Sequence, residues 1–250
     1  RNPYIVGASV TAREHYGREE VIETLLAGGA RAHWIVGNRR VGKTSLLRQL
    51  ELLAARGGRL APLYCDMQGC ASYTELGATL AEAVADHADR FAPLGLPPAL
   101  TEERDALTLL AHLRRLATRG GRELLLLCDE TEALIGICER EPAAMQRLHR
   151  ALTGGAGVRA VMASTREIYR LYDVCQGWPT SPFLGGFDMS ITLGSLSPAD
   201  AKALILQTQA PRGGRIKAPA AAVAAIRDAT NGHPLLLQLL CARLLRNDGT

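Results

Sequence analysis

Apolar residues in the first 200 positions of the chain follow two alternating patterns. Short apolar runs occupy 32–36, 60–65, 124–128 and 158–163, and longer stretches with helical spacing lie between them. An unbroken apolar run is typical of a strand that is covered on both faces, as in a parallel sheet. The alternation therefore predicts a doubly wound α/β fold, a parallel sheet covered by helices, with 189–193 as its last strand.

The longer stretches predict helices that connect the strands. In the first of them leucines recur at helical spacing, and Gly57-Gly58 is expected to end the helix. A proline-rich segment at 93–98 predicts a turn or loop after the second. The predicted helices are 43–55, 73–90 and 108–118.

The chain changes character near residue 197. It becomes rich in alanine and leucine, and no strand pattern occurs beyond this point. Three helical stretches each begin with a proline, which fits the first turn of a helix. We therefore predict three parts: an N-terminal segment 1–30, a P-loop α/β core 31–195 and a small helical lid 196–250. The predicted lid helices are 198–209, 219–230 and 234–245.

The composition excludes several classes of protein. With 47% hydrophobic and 22% charged residues, the chain is neither disordered nor collagen-like. Its apolar runs are far shorter than the ~20 residues of a membrane helix, so no membrane partner is expected. The six cysteines form no CxxC pair and several lie in apolar runs, which indicates buried thiols in a reducing, cytoplasmic setting.

The net charge and the first residue of the chain give weaker indications of function than the cysteines and the apolar runs do. A net charge of +4 is too small to indicate nucleic-acid binding by itself. The chain begins with Arg1 and not with methionine, so we expect sensor or effector domains outside this segment.

The strongest chemical motif lies at 37–44, where Gly-Asn-Arg-Arg-Val-Gly-Lys-Thr fits the phosphate-loop (Walker A) pattern GxxxxGK[ST] at every fixed position. The chain has only three lysines, so about 0.003 such matches are expected by chance from composition. A predicted strand enters the loop and a predicted helix leaves it. The residues expected to contact phosphates are Asn38, Arg39, Arg40, Val41, Gly42, Lys43, Thr44 and Ser45.

The spacing of this motif has a chemical reason. Glycines allow a tight turn whose N–H groups point at phosphate oxygens, and the start of the following helix adds partial positive charge. Lys43 is expected to reach the β- and γ-phosphates and the Thr44 hydroxyl to ligate Mg²⁺. Arg39 and Arg40 make the variable positions of the loop unusually basic.

Two carboxylates follow the run at 124–128, a Walker B pattern. Ligands of parallel sheets bind at the carboxyl ends of the strands, so Asp129 is expected to hold Mg²⁺. Glu130 is placed to orient and deprotonate the attacking water. The plain alternative is that both residues cap the next helix, a role that we assign to Thr131 and Glu132.

The run at 158–163 is followed by hydroxyl groups and a guanidinium. Thr165 or Ser164 can hydrogen-bond the attacking water, and Arg166 can contact the γ-phosphate, since a guanidinium binds phosphate with two parallel bonds. A helix N-cap followed by a solvated arginine explains the same residues equally well.

Further motifs extend over nearly the whole chain: Asn2-Pro3-Tyr4-Ile5-Val6-Gly7, Tyr16-Gly17-Arg18-Glu19 and Asn231-Gly232-His233-Pro234. With the two Walker motifs, the chain resembles AAA-like P-loop ATPases of the STAND class, the signal-transduction ATPases with numerous domains, and equally the archaeal-type ATPases related to AAA+ proteins. Gly17-Arg18-Glu19 is similar to their GRE box, 163–166 to their sensor 1 motif, and Gly232-His233-Pro234 to their GxP motif.

The resemblance implies ATP or ADP as the nucleotide. Val6, Gly7, Gly17 and Arg18 would enclose the adenine, His233 and Pro234 would touch the base or ribose from the lid, and Arg166 would sense the γ-phosphate. The alternatives are a turn at the start of a helix for 232–234 and an ion pair for Arg18. The resemblance also implies the sheet order 5-1-4-3-2, with a strand inserted before the Walker B strand and a catalytic glutamate at Glu130.

These expectations combine into an ATP-driven molecular switch of a signalling or defence regulator. The resemblance implies slow hydrolysis and a homo-oligomer in the ATP state. Two other functions stay open: a DNA-associated remodelling or loading ATPase, favoured by the excess of arginine, and a nucleotide-binding scaffold that does not hydrolyse ATP.

Overall fold

Within the described residues, which are 2–27, 29–178, 183–188, 190–211 and 214–247 of this computed structural model, five strands form one parallel sheet. In chain order they are β1 (Ala32–Val36), β2 (Leu60–Asp66), β3 (Glu123–Asp129), β4 (Val158–Ser164) and β5 (Ile191–Thr192). Their order across the sheet is β2-β3-β4-β1-β5, so the predicted order 5-1-4-3-2 is confirmed.

Helices connect these strands and complete the chain, and short 3-10 turns join some of them. In chain order the helices are α1 (Glu19–Ala27), α2 (Lys43–Gly57), α3 (Tyr73–Asp86), α4 (Ala88–Phe91), α5 (Ala106–Arg119), α6 (Ala133–Arg140), α7 (Pro142–Thr153), α8 (Arg170–Val174), α9 (Pro198–Leu206), α10 (Ala220–Thr230) and α11 (Pro234–Asn247). The 3-10 turns are Ala12–Glu14, Ala92–Leu94, Pro98–Glu102 and Arg166–Tyr169.

The sheet is buried on both faces, as the unbroken apolar runs predict. Leu124 and Leu126 of β3 pack in a cluster with α3, α5, α6 and α7, whereas Leu125 and Leu127 pack on the other face with α1 and α2. The alternation follows from the two-residue period of a strand. All six cysteines are buried, as predicted, and free.

Three predicted boundaries were wrong. The helix expected over 73–90 is interrupted at His87, whose ring turns back to bond Ala83 O and Glu51. The helix expected over 198–209 ends at Leu206, because Gln207 adopts a left-handed conformation (φ 49°) and its N–H caps the helix. The last strand covers Ile191–Thr192 alone, and Met189 lies outside the described residues.

A third apolar cluster joins the lid helices α9, α10 and α11 to the N-terminal segment. Tyr4 and Tyr16 pack there against residues such as Ala201 and Leu237. The Tyr4 hydroxyl donates to Ile205 O, and the Tyr16 hydroxyl accepts from Gln209 N–H at 3.3 Å. None of the helices in the described ranges combines the length and apolar character that a membrane span requires.

Candidate functional site

The phosphate loop is shaped by two glycines at its fixed positions. A Cβ on Gly37 would lie 2.8 Å from both Leu193 O and Val41 Cγ1, so no larger residue fits without a shift. Gly42 has a φ of +102°, which is strained for a residue with a side chain. Arg40 takes a positive φ of 63° in the same turn. The chain therefore leaves β1 and enters α2 through a tight loop.

Lys43 lies within this loop. Its side chain is buried, and Nζ donates to Gly37 O at 3.0 Å and to Asn38 O at 3.2 Å. An ammonium has three donors, so one is left for another acceptor. The N–H groups of Gly42, Lys43 and Thr44 have no acceptor among the described residues. This end of α2 therefore presents donors and positive charge to an anion.

The other predicted loop residues differ in exposure. Val41 is buried in the apolar cluster beneath the loop, whereas Arg39 and Arg40 are exposed. The Ser45 hydroxyl accepts the Val10 N–H at 3.1 Å, so it ties the N-terminal segment to α2.

The two carboxylates at the end of β3, those of its last residue Asp129 and of the following Glu130, are held by different contacts. Asp129 is buried; its Oδ1 accepts the Glu130 N–H at 3.0 Å and its Oδ2 accepts the Tyr64 hydroxyl at 3.2 Å. Glu130 has a φ of 50°, and strained backbone of this kind clusters at functional sites. Burial raises the pKa of Glu130, and Glu132 and Asp129 raise it further.

The expectation that Thr131 and Glu132 cap the next helix holds for Glu132 by position alone. Glu132 is the N-cap residue of α6, but its side chain makes no cap hydrogen bond, and Thr131 is not a cap residue. The Thr131 hydroxyl instead donates to Ala163 O at 2.9 Å, and Glu132 Oε1 accepts the Thr165 N–H. Both side chains therefore fasten the end of β3 to the end of β4. Glu132 Oε2 is buried and has no partner among the described residues.

The predicted site residues at the end of β4, Ser164 to Arg166, make different contacts. The Ser164 hydroxyl accepts Trp34 Nε1–H at 2.7 Å inside the sheet, which commits it to the core. The Thr165 hydroxyl accepts the Glu167 N–H at 3.4 Å as an N-cap. Arg166 is exposed. These contacts agree with the alternative interpretation, a helix N-cap at Thr165 followed by a solvated arginine. The sensing role of Arg166 stays a prediction.

The GRE box contacts the connector between β5 and the lid. The Arg18 guanidinium donates to Gly194 O and, at 3.3 Å, to Ser195 O, so within the described part of the chain its hydrogen bonds go to carbonyl oxygens. A Cβ on Gly17 would lie 2.6 Å from the Asp200 carboxylate of α9. Burial lowers the pKa of Arg18, while Asp200 opposes the shift.

The predicted GxP turn reaches the same connector. Asn231 and Gly232 have φ values of 48° and 66°, and Gly232 O accepts the Leu196 N–H at 3.0 Å. His233 Nδ1 is buried without a partner among the described residues, and burial lowers the pKa of His233. Pro234 is the first residue of α11. We use core–lid seam for residues 17–18, 194–196, 200 and 231–233.

The N-terminal segment spans from the lid to the helix that follows the phosphate loop. The Ile5 N–H donates to Gln238 Oε1 of α11 at 3.1 Å, and the Ala12 N–H donates to Gln49 Oε1 of α2 at 2.7 Å. Between them Val6 is exposed and Gly7, with a φ of 85°, has open space around it. Contact of Val6 and Gly7 with adenine stays a prediction.

The donor set suits Mg²⁺ carried in with a nucleotide. Mg²⁺ keeps several waters and takes few protein ligands besides phosphate oxygens. Thr44 offers a half-buried hydroxyl in the first turn of α2, and Asp129 offers carboxylate lone pairs beyond its two hydrogen bonds. Among the described residues no group of three or more His, Cys, Asp or Glu could hold a metal ion by itself.

Sequence reasoning missed two residues at this site. Tyr64 looks like one more apolar position of β2, and Glu132 looks like a cap residue. Each becomes significant through strand pairing, because β2 and β4 both lie beside β3. The sequence contained a signal for Glu132, because it stands close to two other acids, Asp129 and Glu130. It contained no such signal for Tyr64.

A parallel sheet in this order, with a GxxxxGKT loop after β1 and paired acids after β3, defines the class of P-loop ATPases. Within it, the AAA domain family matches residues 27–172, more than half of the 250 residues, and the chain belongs to that family. The resemblance to archaeal-type AAA+ ATPases is thereby confirmed. A search of curated proteins found no sequence match.

Solved structures show the same fold. The Walker-type ATPase of Pyrococcus abyssi is 17% identical with a TM-score of 0.77, over 98% of this chain and 72% of that one. The ADP form of the Aeropyrum pernix ORC2 protein is 14% identical with a TM-score of 0.59, over 93% and 62%. The Aeropyrum pernix ORC1 protein in complex with DNA is 15% identical with a TM-score of 0.50, over 91% and 58%. The chain thus spans less than two thirds of either ORC protein.

Proposed function

We propose that the chain is an ATP-driven molecular switch that hydrolyses ATP slowly with Mg²⁺. The observation that carries this proposal is geometric: buried Lys43, whose Nζ is held by the phosphate-loop carbonyls of Gly37 and Asn38, and buried Asp129 stand at the carboxyl ends of two strands of the same parallel sheet. Membership of the AAA domain family and the fold of the Pyrococcus ATPase support it.

Each group has a distinct part in this proposal. The loop amides and Lys43 bind the phosphates, while Thr44 and Asp129 would hold Mg²⁺, an ion that would supply positive charge to the phosphate oxygens. Glu130 accepts the proton of the attacking water as the general base. Thr165 and Arg166 contact the water and the γ-phosphate.

The core–lid seam supplies the switch. A ligand shifts a conformational equilibrium only by its different affinity for the two states, so contacts that ATP makes and ADP lacks must bias the lid. Arg18 and the 231–233 turn both bond the connector that leads to α9. The switch forms a homo-oligomer in the ATP state and acts through sensor or effector domains outside this segment.

A second candidate is a DNA-associated remodelling or loading ATPase. The likeness in fold to an ORC protein in complex with DNA favours it, as does the predominance of arginine among the 29 basic residues. This candidate requires that DNA stimulates turnover and that binding weakens steeply with salt. The third candidate function is a nucleotide-binding scaffold that never hydrolyses ATP.

One experiment separates the three. Light scattering of the protein with ATP or ADP is recorded while phosphate release is measured, with and without DNA. The switch gives ATP-dependent growth in size with slow turnover that DNA leaves unchanged. Stimulation by DNA supports the second candidate, and nucleotide binding without any phosphate release supports the scaffold. Absence of nucleotide binding contradicts all three.

A further inference from the structure

A buried tyrosine lies directly beside the Walker B aspartate. The Tyr64 hydroxyl donates to Asp129 Oδ2 at 3.2 Å, and both side chains are buried. Pairing of β2 with β3 sets Tyr64 opposite Leu127, two residue pairs inward from Asp129 and therefore on the same face of the sheet. The hydroxyl therefore reaches the carboxylate along the face that α2 covers.

The ring of Tyr64 is itself fixed by charged groups of α2. The Arg48 guanidinium carbon lies 3.4 Å from the ring centroid, an attractive arrangement for a cation over an aromatic face. Arg48 is in turn bonded to Glu51 at 2.9 Å, and Glu51 accepts from Arg90 and His87, each at 2.8 Å. This chain of contacts joins α2, which carries Lys43, to the carboxylate after β3.

The hydroxyl of Tyr64 is not needed to fill the apolar cluster. A phenylalanine would fill the same apolar cluster, and a buried hydroxyl is unfavourable unless it is hydrogen-bonded. With Oδ1 held by the Glu130 N–H and Oδ2 by Tyr64, the Asp129 carboxylate has one orientation. Such outer contacts of a metal-holding carboxylate control how well it binds the ion.

We propose that Tyr64 is a positioning residue for Asp129: its hydroxyl, 3.2 Å from Oδ2 and held in place by Arg48, aims the remaining carboxylate lone pairs at nucleotide-bound Mg²⁺. This inference rests on the proposed function, in which Asp129 holds the ion. Tyr64 does not touch nucleotide or metal in this scheme.

The test is Tyr64→Phe, read as thermal stabilisation by a fixed ATP concentration during a Mg²⁺ titration and in EDTA. The Mg²⁺ concentration that gives half of the stabilisation should rise about tenfold or more, whereas the stabilisation by ATP in EDTA should stay unchanged. Arg48→Met, which leaves the hydroxyl but frees the ring, should raise the same midpoint by a smaller factor.

The matched control is Tyr73→Phe. Tyr73 is also buried, and its hydroxyl accepts the Leu107 N–H at 3.2 Å away from the site, so this variant should lose stability without any shift in the Mg²⁺ midpoint. Tyr64→Phe behaving like Tyr73→Phe overturns the inference and leaves the proposed function intact. A wild-type protein that ATP fails to stabilise at any Mg²⁺ concentration overturns both.

Discussion

The phosphate loop and the core–lid seam bring their residues together in opposite ways. The loop takes its donors from the consecutive residues 37–44, which lead from β1 into the first turn of α2, and its shape follows from Gly37 and Gly42. The seam takes Arg18, Gly232 and the connector 194–196 from points more than 200 residues apart in the chain. In the proposed function, binding of phosphate is therefore a property of one short segment, whereas communication with the predicted lid depends on the complete fold.

This contrast gives a rule for variants. A change in the loop should remove nucleotide binding and leave the folded protein stable. A change in the seam should alter stability or the response to nucleotide and leave the phosphate contacts in place.

Lys43→Ala should abolish stabilisation by ATP. A ligand at about 100 times its Kd stabilises the native state by ~2.7 kcal/mol, or roughly 5–10 °C in Tm for a chain of this size, and the variant should lose this shift. Differential scanning fluorimetry with and without MgATP measures it. Lys202→Ala, an exposed lysine of α9, should keep the full shift. Undiminished ATP binding by Lys43→Ala would remove the phosphate-site assignment.

Glu130→Gln should separate binding from chemistry. The amide cannot accept the water's proton, so turnover should fall by about 10²–10⁴-fold, while ATP-dependent stabilisation persists. Phosphate release and thermal shift, measured on the same preparation, test both halves. Glu167→Gln, an exposed acid after β4, serves as the control. Full activity of Glu130→Gln would mean that another residue handles the water.

The same contrast explains which features were predictable from sequence. The loop, β1 and α2 could be predicted because their residues are contiguous, although one of the constraints on Gly37 is its contact with the distant Leu193. The sheet order came from family resemblance, since the apolar runs carry no information on which strands are neighbours. Tyr64 could not be recognised, because its partner Asp129 lies 65 positions away and is reached only through the β2–β3 register.

Two corrections have a similar cause. The helical pattern over 73–90 continues past His87, yet the chain breaks there because Glu51 of α2 binds the ring. Glu132 is a residue type common at helix caps, but its side chain accepts the N–H of Thr165, which directly follows the neighbouring strand β4. In both cases a contact between distant residues outweighs a local propensity.

Gly232→Ala should destabilise the seam. A Cβ would lie 2.9 Å from Leu196 O, and φ is +66°, so we expect a loss of ~1–3 kcal/mol in the free energy of unfolding. Urea unfolding monitored by circular dichroism measures the loss. Gly57→Ala is the control, because no atom lies within 4 Å of its added Cβ. Equal stability of the two variants would contradict the close contact between the GxP turn and the connector.

Arg166→Ala should reduce the difference between the ATP and ADP affinities. A charge-assisted hydrogen bond contributes about 1.5–3 kcal/mol when well formed, and less from an exposed side chain, so the ATP:ADP ratio should fall by about fivefold. Titration calorimetry with both nucleotides provides the ratio. Arg170→Ala, a neighbouring exposed arginine, should leave it unchanged, and an unchanged ratio in Arg166→Ala would reject the sensor role.

The smallest effect concerns the pH dependence of stability at Glu51. Burial alone would raise the pKa of Glu51, but hydrogen bonds from His87, Arg90 and Arg48 lower it to about 2. The hydrogen bond to Glu51 raises the pKa of His87. The contribution of His87 is therefore complete below its unfolded pKa of about 6.5 and is lost as the pH rises through its folded pKa.

His87→Gln should flatten that part of the stability profile. Between pH 6 and 9 the wild type should lose a few tenths to about 1 kcal/mol that the variant does not lose, since a glutamine side chain has no proton to release. Glu51 keeps Arg90 and Arg48 as partners, so its own loss of stability, which occurs as the pH falls towards 2, should remain. Urea unfolding at several pH values tests this, with His112→Gln as the control. An identical slope for wild type and His87→Gln would show that the ion-paired histidine contributes nothing to the coupling between α2 and the end of α3.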